Sequence, residues 1–218
     1  YKITITNSLL NKKEQLCLDS NKDTTMYVCG ITPYDYAHIG HGRCYVTFDT
    51  LFRLLKILNY NVKYCRNFTD IDDKILNKAQ KVYGSSKFYN KVSQEYINAY
   101  LEDMQLLNCL NPTIQPKVTE NIDIIVEFIA QLIATKKAYI KNYDVYFDIS
   151  QFAEYGKLSK RNINDLLSGA RVEIREEKNN PLDFALWKSA PLNEPGWDSP
   201  WGHGRPGWHI ECSAMRSE

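Results

Sequence analysis

The sequence lacks the features that mark several common classes of protein. No apolar run approaches the roughly 20 residues needed to span a bilayer, and no signal peptide is apparent at the start. The 218 residues carry 27 basic and 26 acidic side chains, and the formal net charge of +1 gives no strong non-specific attraction to nucleic acid or membrane. This length suffices for one large domain or a domain with an insertion, and we expect no membrane association.

Cysteine is present, but not in the pattern of a secreted disulfide framework. The six cysteines lie far apart and include no C-x-x-C pair, which favours a reducing, cytoplasmic setting. Histidine is scarce, with four in the chain, yet His38 and His41 stand three positions apart in the tetrapeptide "HIGH".

The region around this tetrapeptide has the pattern of a βαβ unit. Met26–Cys29 is predicted to be a short buried strand, ended by Gly30 and Pro33. Apolar residues at helical spacing predict an amphipathic helix from about His41 to Leu58. Val62–Phe68 is rich in β-branched and aromatic residues and predicts a second strand. Strand, helix and strand in this order indicate a parallel sheet with a right-handed crossover.

Helices and short strands are predicted further along the chain. Ser85 or Ser86 is predicted to cap a helix that extends to Leu107, and Thr119 to cap another from Ile122 to Ile133. Ala138–Ile149 has the pattern of a β-hairpin or a pair of short strands.

The last third of the sequence changes in composition. A short helix is predicted over Leu158–Leu167, stopped at Gly169. Pro191–Trp208 holds four of the eight prolines and three of the four tryptophans. We expect an ordered, aromatic-lined loop there, since disordered linkers are poor in tryptophan.

His38 and His41 are predicted to lie where a strand-to-helix loop delivers its residues. In open α/β sheets ligands bind beyond the carboxyl ends of the strands, and anions favour helix N-termini. The two imidazoles are therefore candidates for binding a phosphate, and Gly40 leaves room for a base or ribose near the backbone. A bare H-x-G-H match also occurs by chance, so ordinary loop histidines are the alternative from these residues alone.

The wider stretch "YVCGITPYDYAHIGHGR" (27–43) resembles the first signature of class I aminoacyl-tRNA synthetases, the HIGH motif, and specifically that of the cysteinyl-tRNA synthetases. The resemblance continues in "FTDIDDKI" (68–75), "GARVEI" (169–174), "NPLDFALWK" (180–188) and "GRPGWHIECSAM" (204–215). It therefore covers nearly the whole chain with several specific blocks.

The resemblance implies a Rossmann-type parallel-sheet nucleotide-binding domain with an inserted α/β connective domain. We expect the first part of the catalytic domain at residues 1–115, the insertion at about 116–200, and a return to the catalytic domain at 201–218. The KMSKS loop and the helical anticodon-binding domain of the family are absent from the sequence. We therefore expect a chain truncated before both, without full activity on its own.

The resemblance also implies roles for single residues. His38 and His41 would be catalytic and, with Gly40, would bind ATP, steadying its phosphates while the amino acid carboxylate attacks the α-phosphorus. Cys29 and Cys212 would be two ligands of one zinc ion per chain, with a His and a Glu beyond residue 218 as the others. Zinc suits this role because it binds thiolates and the substrate is itself a thiol.

Further residues are expected around the same site. The cysteine pocket would be lined, by resemblance, by Gly30, Thr32, Thr69 and Trp208. His203, His209 and Glu211 are further local candidates for the zinc shell, and the family pattern does not use His209. The remaining cysteines, which a buried setting would make small hydrophobes, are expected to be packing residues: Cys17, Cys44, Cys65 and Cys109.

Acidic residues after the second strand have two interpretations. Asp70, Asp72 and Asp73 resemble a metal-binding cluster, but acidic side chains in the first turn of a helix also complement its dipole, and we favour the second.

The expected function is the activation of L-cysteine with ATP, accompanied by Mg²⁺, and its transfer to tRNA(Cys) by a cytoplasmic, monomeric ligase. One alternative is the ligase of the mycothiol pathway, against which "HIGHGR" and "TDIDDKI" argue. Another is a non-catalytic fragment that binds nucleotide, RNA or zinc. The intact histidine pair argues against that fragment, and the absent KMSKS loop leaves it open.

Overall fold

The computed structural model describes residues 2–18, 23–160 and 178–215, and these ranges contain both helices and strands. The elements are β1 (Thr4–Asn7), β2 (Lys12–Gln15), β3 (Thr24–Ile31), α1 (Ile39–Ile57), β4 (Val62–Phe68), α2 (Asp73–Tyr83), α3 (Tyr89–Leu106), α4 (Ile122–Ala134), β5 (Ala138–Lys141), β6 (Asp144–Phe147), β7 (Phe184–Ser189), β8 (Gly204–Pro206) and α5 (Trp208–Met215). None of the helices described combines the length and apolar character of a membrane span.

β3 and β4 pair in parallel, with α1 as the connection between them. A third extended segment lies on the other side of β4, where the amide of Arg66 donates to the carbonyl of Ile114 at 3.0 Å and that of Phe68 donates to Pro116 at 2.8 Å. The predicted α/β class with a parallel sheet is confirmed.

The first helix begins two residues earlier than its apolar pattern predicts. His38 is the N-cap of α1, and its ring accepts a hydrogen bond from the amide of Gly40. This side-chain acceptor satisfies a backbone donor that a helix start leaves free. The spacing of apolar residues gives no signal for this cap, so the helix start predicted at His41 lies two residues too far along the chain.

The second sheet is antiparallel, with strand order β5–β6–β7–β8. β5 and β6 form the predicted hairpin, and Asn142 and Tyr143 at its turn have φ angles of 52° and 67°, as a two-residue type I′ turn requires. β8 pairs with β7, so this sheet extends to Pro206. The limits of a connective insertion stay a prediction.

Of the three hydrophobic cores among the described residues, two correspond to the parallel sheet and to the four-stranded antiparallel sheet. The parallel-sheet core joins β3, β4, α1 and α3 through side chains such as Val28, Phe52, Tyr64 and Tyr100. The antiparallel-sheet core joins α4, β6, β7 and α5 through side chains such as Ile125, Ile129, Trp187 and Ile210. The chain first passes from the parallel-sheet core to the antiparallel-sheet core between Phe68 and Ile71, just after β4. It returns to the parallel-sheet core in α3 and joins the other core again before α4.

Two local predictions were wrong. Thr119 does not cap α4: Asn121 is the N-cap, without a side-chain hydrogen bond, and the Thr119 hydroxyl donates to Asp70 at 2.6 Å instead. Cys17 and Cys44 are exposed and not packing residues. Cys17 lies after β2, outside the strands and helices, and Cys44 lies on a part of α1 that is open to solvent. All six cysteines are free thiols.

The prediction of an aromatic-anchored loop before α5 is confirmed. Trp197 and Gly204 exchange two backbone hydrogen bonds, and the buried ring of Trp201 packs edge-on against Trp187 with centroids 5.9 Å apart. In the helix predicted over Leu158–Leu167, the residues up to Lys160 form turns. The rest of that helix and the block "GARVEI" lie outside the described residues.

Candidate active site

A break in the pairing of β3 and β4 turns Cys29 out of the sheet. The register shifts between Val28 and Ile31, and these two residues are buried whereas Cys29 is exposed. Such bulges re-aim side chains. At the break, Gly30 lies so close to β4 that a Cβ would stand 1.5 Å from the carbonyl oxygen of Asn67. Only glycine permits this approach.

Gly30→Ala is therefore expected to destabilise the protein strongly, by about 3 kcal/mol or more, because two backbone segments must separate. The matched control is Gly84→Ala at the C-cap of α2. There φ is 74° with nothing within 4 Å of a Cβ, and the cost is about 1–2 kcal/mol. Thermal unfolding of both variants compares them. Equal losses would contradict the close approach at Gly30.

The structure brings the two candidate zinc ligands together. Cys212 lies on α5, and its sulfur is 3.5 Å from that of Cys29. Two thiolates on one tetrahedral zinc, with bonds of ~2.3 Å, would lie about 3.8 Å apart. The pair thus fits two corners of such a shell with little movement. Among the described residues no group of three or more His, Cys, Asp or Glu side chains forms a fuller set.

The hydrogen bond between the two thiols shifts their pKa values in opposite directions. The hydrogen bond with Cys29 lowers the pKa of Cys212 to about 6, against the opposing effect of burial. The same hydrogen bond, together with burial, raises the pKa of Cys29. A thiolate at Cys212 beside a thiol at Cys29 makes the pair an electron-rich sulfur site suited to a soft metal.

The histidine pair is held by reciprocal hydrogen bonds at the start of α1. The Nδ1 atom of His38 accepts from the amide of Gly40, and that of His41 accepts from the amide of His38, both at 3.1 Å. Because each Nδ1 accepts, each neutral ring carries its proton on Nε2. Burial, and secondarily the neighbouring His38, lowers the pKa of His41.

These hydrogen bonds use the Nδ1 atoms, so the Nε2–H groups of both rings are left to donate to a ligand at the N-terminus of α1. The two rings stack with centroids 3.9 Å apart. Gly40 permits the arrangement, since a Cβ there would come within 2.9 Å of the His38 ring. The helix end and two imidazole donors suit an anion such as phosphate.

The other predicted pocket residues differ in exposure. Thr32 follows β3 and is half-buried, and Trp208 opens α5 with 55% of its surface exposed. Thr69 follows β4, is buried, and donates its hydroxyl to Glu211 at 2.6 Å. Thr69 thus faces inward at the edge of the parallel sheet, and its amide donates to the carbonyl of Ile31.

Residues that were considered as metal ligands have other partners. The ring of His209 packs edge-on against Phe184 at 5.1 Å, beside an apolar cavity of about 370 Å³. His203 lies near Asp198 in the loop before α5. Asp72 caps α2, as the helix-dipole interpretation predicts, and Asp73 pairs with Lys188.

Sequence reasoning missed two polar residues and set aside a third. Asn67 is fully buried, accepts from the amide of Gly30 at 2.9 Å and lies 4.0 Å from the Cys212 sulfur. Arg66 is buried beneath Tyr45, whose hydroxyl donates to the carbonyl of Cys29. Glu211 is 1% exposed, and burial raises its pKa to about 9 against the hydrogen bond from Thr69. Two adjacent polar residues inside an apolar strand, "RN", were the available signal.

Known proteins match this chain over most of its length. The family described as tRNA synthetases class I (C) catalytic domain matches residues 16–218. A cysteine--tRNA ligase of Zea mays, named chloroplastic/mitochondrial, is 50% identical over 96% of this chain and 37% of its own length. A cysteine--tRNA ligase of Trichlorobacter lovleyi is 49% identical over 96% of this chain and 42% of its own length.

A third relative, a cysteine--tRNA ligase of Pelobacter propionicus, is 48% identical over 99% of this chain and 43% of its own length. The chain therefore spans about two fifths of the length of the curated relatives it matches.

Proposed function

The chain belongs to the family of class I tRNA synthetase catalytic domains of the (C) type, and from this membership we propose that it activates L-cysteine with ATP as part of a cysteine--tRNA ligase. The observation that carries the proposal is the pair of thiols 3.5 Å apart, one of which, Cys29, lies on the strand that precedes the loop and helix of the histidine pair. A thiol-selecting site and a phosphate-binding site are then neighbours.

The histidines act on the triphosphate. The Nε2–H groups of His38 and His41 donate to phosphate oxygens of ATP, next to the free amides at the start of α1. A carboxylate oxygen of cysteine attacks the α-phosphorus, the bond from the α-phosphorus to the bridging oxygen breaks, and pyrophosphate leaves. Negative charge moves toward the leaving group in this step, so preorganised donors stabilise its transition state more than the ground state.

The thiol pair acts on the substrate side chain. Cys29 and Cys212 would hold a zinc ion, which supplies a soft Lewis acid that binds a thiolate far better than a hydroxyl. Two further ligands would come from outside the described residues. Gly30, Thr32, Thr69 and Trp208 line the pocket for the rest of the amino acid, and Mg²⁺ accompanies ATP.

The second half-reaction completes the proposal. A terminal ribose hydroxyl of tRNA(Cys) attacks the carbonyl carbon of the cysteinyl-adenylate, and AMP leaves. We expect this step in the full-length protein, as a monomer in a reducing compartment where its thiols stay free.

The test is cysteine-dependent exchange of labelled pyrophosphate into ATP by the full-length protein, followed by charging of tRNA(Cys). Exchange that requires cysteine, and charging that follows it, would support the proposal. A protein that binds ATP and zinc but catalyses no exchange would be a binding fragment, and exchange without charging of tRNA would indicate a different acceptor.

A further inference from the structure

The two thiols belong to different cores. Cys29 lies on β3 in the parallel-sheet core, whereas Cys212 lies on α5, which packs on α4 and β7 in the antiparallel-sheet core. Their separation of 3.5 Å therefore depends on how the two cores are positioned relative to each other. A displacement of 1 Å between the cores would take the sulfurs outside the geometry of a shared tetrahedral metal.

A buried chain of hydrogen bonds runs across this boundary. The amide of Gly30, next to Cys29, donates to Oδ1 of Asn67 at 2.9 Å. This bond fixes the orientation of the amide group, so Nδ2 faces the hydroxyl of Thr69, at 3.5 Å. Thr69 in turn donates to Oε2 of Glu211 at 2.6 Å, one residue before Cys212. The chain thus connects the residue after one thiol to the residue before the other.

Burial makes these bonds specific. Asn67, Thr69 and Glu211 are exposed by 0%, 2% and 1%. A buried polar group without a partner costs about 1–3 kcal/mol, and water has little access to replace a lost partner here. Any relative shift of β4 and α5 would leave Thr69 or Glu211 without a partner. The network therefore favours one registration of the two cores over its neighbours.

We infer that Asn67 and Glu211 are positioning residues that act through Thr69 to hold the Cys212 sulfur against that of Cys29. The inference rests on the proposed function, since it gives the network the task of shaping the zinc and cysteine site. Neither residue needs to touch zinc: Glu211 uses its side chain toward Thr69, and Asn67 uses both ends of its amide on the protein. They correspond to the outer-shell partners that tune metal sites in general.

The test measures zinc affinity in the full-length protein by competition with a chromophoric chelator, with zinc alone as the probe. Glu211→Leu and Asn67→Leu each interrupt the chain, and each is expected to weaken zinc binding about 10- to 100-fold. Both variants interrupt the same chain of hydrogen bonds. The double variant should therefore bind zinc only slightly less tightly than the single variant with the lower affinity. Glu211→Gln keeps an acceptor for Thr69 and should bind zinc within about threefold of wild type. Thr69→Val removes the hydroxyl in the middle of the chain of hydrogen bonds, and it replaces a leucine variant in the test if that variant does not fold.

The matched control is Asp183→Leu. Asp183 is as buried as Glu211 and accepts hydrogen bonds from Tyr139 and from the amide of Ile149 in the antiparallel-sheet core. Asp183→Leu should lower the unfolding temperature. Its zinc affinity should stay within about threefold of wild type, since the positions of the two thiols do not depend on Asp183.

A second measurement separates positioning from general loosening. In pyrophosphate exchange, the leucine variants should raise KM for cysteine about tenfold or more, the loss expected for an outer-shell partner, with KM for ATP unchanged. Three outcomes would overturn the inference and leave the proposed function standing. They are equal rises of both KM values in the leucine variants, additive losses of zinc affinity in the double variant, and leucine variants that bind zinc as wild type does. A wild-type protein without zinc binding or cysteine-dependent exchange would overturn the proposed function and the inference with it.

Discussion

Cys29→Ser is expected to remove most of the preference for cysteine over serine. The two amino acids differ by sulfur and oxygen, and a pocket that judges shape alone distinguishes near-isosteres by only roughly 10²-fold. A zinc held by Cys29 and Cys212 would bind the substrate as thiolate and lower its pKa below the free value of about 8.5. Serine offers a harder and far less acidic ligand, so on this proposal selection would occur at binding and no editing step would be required.

The measurement is adenylation of cysteine and of serine by the full-length wild type and variant. The preference should fall to roughly 10²-fold or less, the limit for shape alone. Cys44→Ser is the matched control: it makes the same chemical change at an exposed thiol of α1, outside the pair, and should leave the preference intact. If Cys29→Ser also leaves it intact, zinc is not the selector.

His41→Ala is expected to slow adenylate formation by about 10²–10³-fold, or about 2.7–4 kcal/mol, with a much smaller effect on ATP binding. In the proposed role, the Nε2–H of His41 is a preorganised donor that stabilises the transition state more than it stabilises bound ATP. Single-turnover kinetics on the full-length protein separate the chemical step from binding. Near-normal adenylation by His41→Ala would contradict the phosphate role.

His38 needs a different variant, because its ring is also the N-cap of α1. His38→Asn keeps a side-chain acceptor for the cap but removes the Nε2–H donor. It should therefore slow adenylation nearly as much as His38→Ala while retaining the unfolding temperature of wild type. His203→Ala, a change in the loop before α5, should alter neither quantity. A normal rate in His38→Asn would mean that His38 serves only to start the helix.

The parallel strands and the position of the histidine pair before α1 could be predicted because their signals are local. The β-branched and aromatic residues of β4 and the helical spacing of apolar residues in α1 are each contained in a short stretch of the chain. The cap at His38 was missed because histidine is an uncommon N-cap, so the predicted helix started at the first residue after Gly40.

The thiol pair could not be predicted from any local pattern. Cys29 and Cys212 became a pair only through the resemblance to a family, since each alone has the pattern of an ordinary cysteine. The hydrogen-bond partners of Asn67 and Glu211 could not be predicted for a related reason. A buried amide is explained only by its partners, and those partners come from three different elements. Long-range hydrogen bonds of this kind leave no periodicity in a single sequence.

The separation of the two thiols along the chain has a consequence in time. They are 183 residues apart, and a ribosome adds roughly 5–20 residues per second, so Cys29 is synthesised about 10–40 s before Cys212. The strands that display Cys29 are complete by Phe68, long before its partner exists. Throughout that interval Cys29 has no second thiol beside it, and a zinc site made of both thiols could form only after α5 is made. The rate of translation thus sets the earliest time at which the two thiols can come together.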